Sequence, residues 1–307
     1  MSALIGVASA HVARAAGDTA GTGDFVTVAL TLALAGALYL AGLLRCRRRS
    51  PLSASDRARA CTFAAGLVTL WFCLLGPLDS WAAELFSAHM VQHEALMLIV
   101  APLLVWGRPL PLFLWAFRSS GRGAIAAFLR SNPVRATVAT LTAPWIAWLL
   151  HALVLWVWHV PRFFNAALMS RGLHDTQHLT FLVGALLFWT ALAQERRPDQ
   201  QGAAVLYLFT TTIHTSVLGA LITFAPRPWY SSYLQTSTSW GLSALEDQQI
   251  AGLIMWVPAS VVYVGAGLFL LGRWIAGTDW PVAGPPPLSG RTTGRPRQVC
   301  RPNNSGQ

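Results

Sequence analysis

Two stretches of the chain share the pattern H-x-x-Q-H followed by a long apolar run. His89 begins "HMVQHEALMLIVAPLLVWG" and His174 begins "HDTQHLTFLVGALLFWTAL". Residues at positions i and i+4 lie on one face of a helix, about 6 Å apart, so each pair of imidazoles can share a metal ion or face one cavity. Histidine is costly in lipid, and its repetition at one offset in two apolar segments indicates a functional site.

The residues around these pairs suggest which metal the site could hold. Met97 follows His93 at the same interval and adds a thioether to the first pair. Histidine with methionine is a suitable ligand set for copper, whereas histidine alone also suits zinc, iron or nickel. The glutamine of each motif lies about 60° around the helix from the first histidine, within reach of a supporting hydrogen bond. The spacing predicts a metal site and leaves the metal open.

Composition places these motifs in a membrane. Of the 307 residues 54% are hydrophobic and 11% are charged, against roughly a quarter charged in soluble domains. The net charge of +10 does not indicate nucleic acid, because a membrane protein uses arginine to orient itself in lipid. We therefore expect an integral membrane protein with lipid around it and no nucleic-acid partner.

Seven apolar segments predict an all-α bundle of seven transmembrane helices. The segments are 25–44, 60–78, 88–106, 138–158, 173–193, 203–224 and 249–272. The stretch "PLPLFLWAF" from Pro109 is too short to span, and we expect it at the interface or as a continuation of the third helix after a break.

Arginine placement predicts the orientation. The link between the first two helices holds six arginines, and others occur between helices three and four, between five and six, and in the tail. The alternate links hold few arginines. The positive-inside rule then puts the N-terminus outside and the C-terminus in the cytoplasm. We divide the chain into an extracytoplasmic segment, 1–24, that could be a signal peptide, a membrane domain, 25–274, and a disordered basic cytoplasmic tail, 275–307.

This orientation brings five of the eight histidines to the outer membrane face, although histidine was not used to derive it. They are His89, His93, His159, His174 and His178. Carboxylates expected at the same level could orient the imidazoles or complete a coordination shell. They are Asp79, Asp175, Glu246 and Asp247.

Two further histidines are expected deeper in the membrane. His151 precedes His159 by about 12 Å of helical rise, and His214 falls near the middle of the sixth helix. A histidine at this depth is a candidate functional residue. The alternative is a neutral imidazole that hydrogen bonds to neighbouring threonines, and both interpretations remain open.

Five motifs in this order resemble the CtaG family of multi-spanning cytochrome c oxidase assembly factors, linked to caa3-type oxidases. They are "FSAHMVQHEALMLIVAPLLVWGRP", "LWVWHVPRFFNAAL", "HDTQHLTFLVGALLFW", "LGALITFAPRPWY" and "LSALEDQQIAGLIMWVP". The resemblance covers about Asp79 to Trp274. It implies a multi-pass protein of the bacterial inner (cytoplasmic) membrane that helps to build a haem–copper oxidase through copper delivery, with the oxidase subunits as partners. Its histidine motifs match the five outer histidines, and its acidic motif matches Glu246 and Asp247.

The leading hypothesis is a non-enzymatic assembly factor, without catalytic residues, that holds copper at its outer face. The expected ligands are His89, His93, His174 and His178, joined by His159 or Met97, with Asp175, Glu246 and Asp247 as additional ligands, supporting groups or part of the access path.

Three alternatives remain open. The first is an intramembrane zinc hydrolase in which a carboxylate activates water, with Glu94, Asp175 or Asp247 as the base. The second is a b-type haem protein with axial histidines. The third is a transporter with His151 and His214 as proton relays.

Overall fold

The computed structural model describes residues 19–49, 51–194 and 201–276, and these ranges contain helices and turns but no strand. The predictions of a signal peptide within 1–24 and of a disordered tail from 275 fall largely outside them. The α-helices are α1 (Thr19–Arg47), α2 (Ala54–Leu74), α3 (Pro77–Ala82), α4 (Phe86–Glu94), α5 (Ala101–Gly107), α6 (Leu110–Trp115), α7 (Ser119–Leu129), α8 (Asn132–Leu141), α9 (Pro144–His159), α10 (Pro161–Met169), α11 (Arg171–Gln194), α12 (Gln201–Thr223) and α13 (Ala244–Ile275). A π-helical segment, Ala95–Val100, joins α4 to α5, and the 3-10 helices Ser231–Tyr233 and Ser237–Trp240 lie between α12 and α13.

Six helical stretches in the described ranges are long and apolar enough to cross a membrane, so the chain is a multi-pass membrane protein. They are Phe25–Arg47, Ala54–Ala82, Phe86–Gly107, Arg171–Gln194, Gln201–Thr223 and Ala244–Ile275. Each coincides with a segment predicted from apolar runs, and helical structure is thereby confirmed for six of the seven.

The remaining predicted segment, 138–158, is not one straight helix. It consists of α8 and α9, which meet at 63° across a short break, and it gives a seventh span only if the bent pair is counted as one. Pro144 causes the break: proline lacks an N–H and disfavours helical backbone in the residue before it. Ala143 accordingly has an extended conformation, with φ −62° and ψ 131°.

In the described residues, arginines of two of the arginine-rich links, between the first and second spans and after the third, gather at one end of the bundle. The guanidinium groups of Arg49 and Arg122 lie over the ring of Trp115, at 5.1 and 4.1 Å from its centre, and Arg45 donates to the carbonyl oxygens of Trp115 and Ala116. Trp115 ends α6, the short helix formed by the predicted non-spanning stretch. Since α6 follows α5, this end is opposite the start of α4, where the first histidine pair lies.

Glycines allow α12 and α13 to approach closely. Gly219 and Gly252 face each other where the helices cross, and a Cβ at Gly252 would lie 2.7 Å from both the Gly219 oxygen and the Thr223 nitrogen. Contact with backbone cannot be relieved by rotating a side chain, and small residues at such crossings are typical of membrane helices.

Replacing Gly252 with alanine is therefore expected to destabilise the protein by about 1–3 kcal/mol, the usual effect of overpacking. The measurement is thermal unfolding of the detergent-solubilised protein. Gly265→Ala is the matched control, because it lies on the same helix and its added Cβ would meet nothing within 4 Å. Equal melting temperatures for the two variants would show that this crossing does not require glycine.

Candidate metal centre

The structure brings all five predicted outer histidines into one cluster, called here the outer histidine cluster. His89 and His93 lie in the first turns of α4, His174 and His178 lie in the first turns of α11, and His159 is the last residue of α9. The two H-x-x-Q-H motifs thus sit at the same end of neighbouring helices. Their role as metal ligands stays a prediction.

Ring contacts connect the whole cluster. The ring centres are 4.3 Å apart within each pair, His89–His93 and His174–His178. Between the helices, His178 lies 5.2 Å from His93 and 5.9 Å from His89, and His159 lies 6.4 Å from His93. One nitrogen from each of His89, His174 and His178 falls within 4.8 Å of the other two, so these three could hold one metal ion.

Tyr233 fixes the tautomer of His89. Its phenol donates to the carbonyl oxygen of Ala82 over 2.9 Å, and its oxygen is 3.0 Å from Nδ1 of His89. Because the single phenol proton is used on Ala82, Nδ1 of His89 must be the donor. Burial, reinforced by the Asp247 carboxylate, raises the pKa of Tyr233 well above its ordinary value, which keeps this proton in place. His89 is left with a lone pair on Nε2, which faces Nε2 of His93 at 2.9 Å.

Other imidazole nitrogens in the cluster are buried without a partner among the described residues. Nδ1 of His159 donates to the carbonyl oxygen of Leu155 over 2.6 Å, so its lone pair is on Nε2. That atom has no hydrogen-bond partner, nor do Nε2 of His174 and His178. A buried polar atom without a partner is unfavourable, and a metal ion would satisfy several at once.

Aromatic rings cover His89 and His93 and separate this part of the cluster from solvent, whereas His174 is partly exposed. Phe164 of α10 lies 5.2 Å from His89, and Phe181 of α11 lies 4.5 Å from His93. His89 and His93 are each only 1% exposed. Tyr230 helps to close this end of the bundle, since its phenol donates to the carbonyl oxygen of His159 over 2.9 Å.

Asp247 is fully buried and holds α4 in position from a distant part of the chain. Its Oδ2 accepts from the backbone N–H of Phe86 over 2.8 Å, and its Oδ1 accepts from that of Ser87 over 3.0 Å. Oδ2 also accepts from the hydroxyl of Ser237 in the loop that carries Tyr233. An aspartate on α13 thereby caps the N-terminus of α4, a favourable place for negative charge. Both oxygens are engaged, so Asp247 supports the site by positioning α4.

Two more of the predicted acidic residues, Glu246 and Asp175, occupy different surroundings. Glu246 is exposed, and its carboxylate accepts from the backbone N–H and the hydroxyl of Ser243, which completes a capping box at the start of α13. It therefore stabilises the helix end on which Asp247 lies. Asp175 is exposed on α11 beside the second pair.

The structure changes the predicted surroundings of Met97. This residue lies in the π-helical segment, whose wider turn alters the helical register. It packs in the buried apolar core, where its carbonyl oxygen accepts from Nε1 of Trp189 over 2.8 Å. Within the described residues, the ring contacts and hydrogen bonds of the imidazole cluster do not include Met97.

The glutamines of the two motifs also differ from the prediction. Gln92 turns away from the imidazoles, and its amide donates to the carbonyl oxygen of Cys73 over 2.6 Å and to Oδ1 of Asp79 over 3.2 Å. It thus ties α4 to α2 and α3. Gln177 is fully buried, with neither amide atom hydrogen bonded to a described residue.

Comparisons with known proteins identify a family and three relatives. A family model described as cytochrome c oxidase caa3 assembly factor matches residues 37–277. An uncharacterised protein of Mycobacterium leprae is 25% identical over 266 residues, covering 80% of this chain and 38% of the relative. Uncharacterised proteins of Mycobacterium bovis and Mycobacterium tuberculosis are each 24% identical over 255 residues, covering 77% of this chain and 36% of each relative.

The chain therefore spans less than two fifths of the length of these curated relatives. No solved structure matches it. The family match covers most of the membrane domain and confirms the resemblance predicted from the five motifs. The chain belongs to the family of caa3 cytochrome c oxidase assembly factors.

Proposed function

We propose that the protein binds copper in the outer histidine cluster and passes it to a subunit of a haem–copper cytochrome c oxidase, without catalysing a reaction. The observation that carries the proposal is the group of buried, unpartnered imidazole nitrogens on three neighbouring helices. Family membership supports the oxidase as the recipient.

The chemistry of the cluster favours monovalent copper as the cargo. The gathered ligands are neutral imidazoles, which suit copper, and the site is buried among aromatic rings. A low ionic charge is the least unfavourable in such surroundings. His89 already presents a lone pair on Nε2. A copper ion bound there and to Nε2 of His93 would replace the hydrogen bond between them, with the His93 proton carried on Nδ1 instead.

The proposed topology has seven spans, with α8 and α9 counted as one, the N-terminus outside and the outer histidine cluster at the extracytoplasmic face of the bacterial inner membrane. It is supported by the separation of the arginines around Trp115 from the start of α4. The 3-10 helical loop between α12 and α13 then covers the cluster from outside, and copper reaches a partner past this loop.

The alternative chemistries receive less support from the site. For a zinc hydrolase, two of the three candidate bases are placed unfavourably: Asp247 is engaged with backbone amides, and Asp175 is exposed. For a haem, two axial imidazoles must face each other across the macrocycle, whereas His89 and His93 contact each other directly.

Metal analysis tests the proposal. Wild-type protein purified in detergent under copper-replete, reducing conditions is compared with a variant in which His89, His93, His174 and His178 are alanine. We expect copper in the wild type and a decrease of one equivalent in the variant, which is the copper held by the outer histidine cluster. Elution volume and melting temperature verify that the variant is folded, and a milder variant, His93→Asn with His178→Asn, serves if it is not.

Other results of the metal analysis would favour a different function or overturn the proposal. Bound zinc in place of copper would favour the hydrolase, and a Soret band would favour a haem protein. A wild type that holds no metal would overturn the copper proposal.

The bond between Tyr233 and His89 provides a finer prediction. Tyr233→Phe keeps the ring but no longer fixes the tautomer of His89, and we expect a decrease in Cu(I) affinity of about 10–100-fold, as for other residues that orient a metal ligand. Tyr230→Phe is the matched control, because it removes a hydrogen bond to a backbone oxygen of the same site. Competition with a Cu(I) chelator measures both affinities, and equal values would contradict the orienting role of Tyr233.

A further inference from the structure

A second histidine pair, His151 of α9 and His214 of α12, lies deeper in the bundle. His151 is 3% exposed, and its ring contacts Phe188 at 4.8 Å. The ring of His214 packs edge-on against Trp148 at 5.4 Å. His151 precedes His159 by eight residues, about 12 Å of helical rise, so this inner pair is separate from the outer histidine cluster.

All four ring nitrogens of the inner pair are buried, and none has a hydrogen-bond partner among the described residues. The expected alternative, a neutral His214 bonded to neighbouring threonines, is wrong. The hydroxyls of Thr211, Thr212 and Thr215 donate to backbone oxygens of their own helix, at 2.7 to 2.9 Å. Each imidazole therefore carries a lone pair that no described residue satisfies.

The distance between the two ring centres decides whether their unpartnered nitrogens could hydrogen bond to each other or bind one metal ion between them. An imidazole nitrogen lies about 1.1 Å from its ring centre, so a direct N–H···N bond of about 2.9 Å allows ring centres at most about 5.1 Å apart. With a metal–nitrogen distance of about 2.0 Å at each ring, an ion between two opposed nitrogens gives about 6.2 Å. The observed separation of His151 and His214 is 6.2 Å. The pair is too far apart to share a proton directly, and its spacing suits one bridging ion.

From this geometry we infer that His151 and His214 form a second copper site, which holds one Cu(I) between two imidazoles inside the membrane. The inference rests on the proposed function for the identity of the ion. Both imidazoles are buried without a hydrogen-bond partner among the described residues, so the pair offers two neutral ligands. Zinc usually takes four ligands, whereas a monovalent copper ion is stable with two nitrogens, and its single charge is less unfavourable to bury.

A double variant, His151→Leu with His214→Leu, tests the inner site. Full-length protein in detergent is titrated anaerobically with Cu(I) against a colorimetric chelator, and X-ray absorption reports the number of nitrogen ligands. We expect the wild type to bind two equivalents and the Leu variant to lose one. Thr212→Val on α12 is the control, because its hydroxyl bonds only to its own helix, and it should keep both equivalents.

The outer variant, with His89, His93, His174 and His178 changed to alanine, separates the two proposals. It should keep one Cu(I) with two nitrogen ligands, and adding the Leu replacements should remove that ion. Two results would refute the inner site and leave the proposed function standing. In the first, the outer variant binds no Cu(I) while the wild type does. In the second, the Leu variant keeps the Cu(I) stoichiometry of the wild type. A wild type that binds no Cu(I) refutes both.

Discussion

Replacing His89 with alanine is expected to lower the affinity of the outer histidine cluster for Cu(I) by at least about 100-fold. This is more than the 10–100-fold typical of residues that only orient a ligand. His89 is central in the outer histidine cluster: its ring contacts His93, His174 and His178 with centres 4.3 to 5.9 Å apart. It also presents a lone pair fixed by Tyr233. Anaerobic competition with a Cu(I) chelator gives the affinity of the detergent-purified protein.

His159→Ala is the comparison for this prediction. His159 lies at the edge of the cluster, 6.4 Å from His93, and its Nδ1 is occupied by its own helix. We expect a decrease of about 10-fold, the lower end of the range for supporting residues. Equal losses for the two variants, both folded by thermal unfolding, would contradict the central position of His89.

The sequence predicted the outer histidine cluster because the relevant signals are local. The i,i+4 spacing determines that His89 and His93 share a face of α4, and the same holds for His174 and His178 on α11. Arginine placement then put both pairs, and His159, at the same membrane level. The spacing of charged and apolar residues was thus sufficient to bring five histidines together without any knowledge of helix packing.

The residues that hold the cluster could not be predicted in this way. Tyr233 is 144 positions from His89, and Asp247 is 161 positions from Phe86. No periodicity connects positions so far apart, and a tyrosine in a loop resembles any interfacial aromatic. An acidic residue at a helix start predicts capping of its own helix, as Glu246 does, but not capping of a neighbouring one.

Local deviations from ideal helix explain the other differences. The prediction that Met97 shares a face with His93 assumed an ideal α-helix, whereas the π-helical segment from Ala95 changes the register. The predicted straight helix over 138–158 ignored Pro144, although a proline there is a local signal that could have indicated the 63° bend.

Asp247→Ala is expected to reduce both stability and copper binding. The substitution leaves the N–H groups of Phe86 and Ser87 and the hydroxyl of Ser237 without their acceptor. Unsatisfied buried donors are unfavourable by about 1–3 kcal/mol each, which gives about 3–9 kcal/mol for the three together. We expect a loss in that range, measured by thermal unfolding in detergent.

The copper readout distinguishes positioning from general destabilisation. Since Asp247 joins the start of α4 to the loop of Tyr233, its loss displaces His89 and Tyr233 relative to each other, and Cu(I) affinity should fall even at temperatures where the variant is fully folded. Glu246→Gln is the matched control on the neighbouring residue, because glutamine also completes a capping box, and it should retain wild-type stability and copper binding. If Asp247→Ala bound copper as tightly as Glu246→Gln, the cap on α4 would be a stabilising contact only, and the outer histidine cluster would keep its geometry without it.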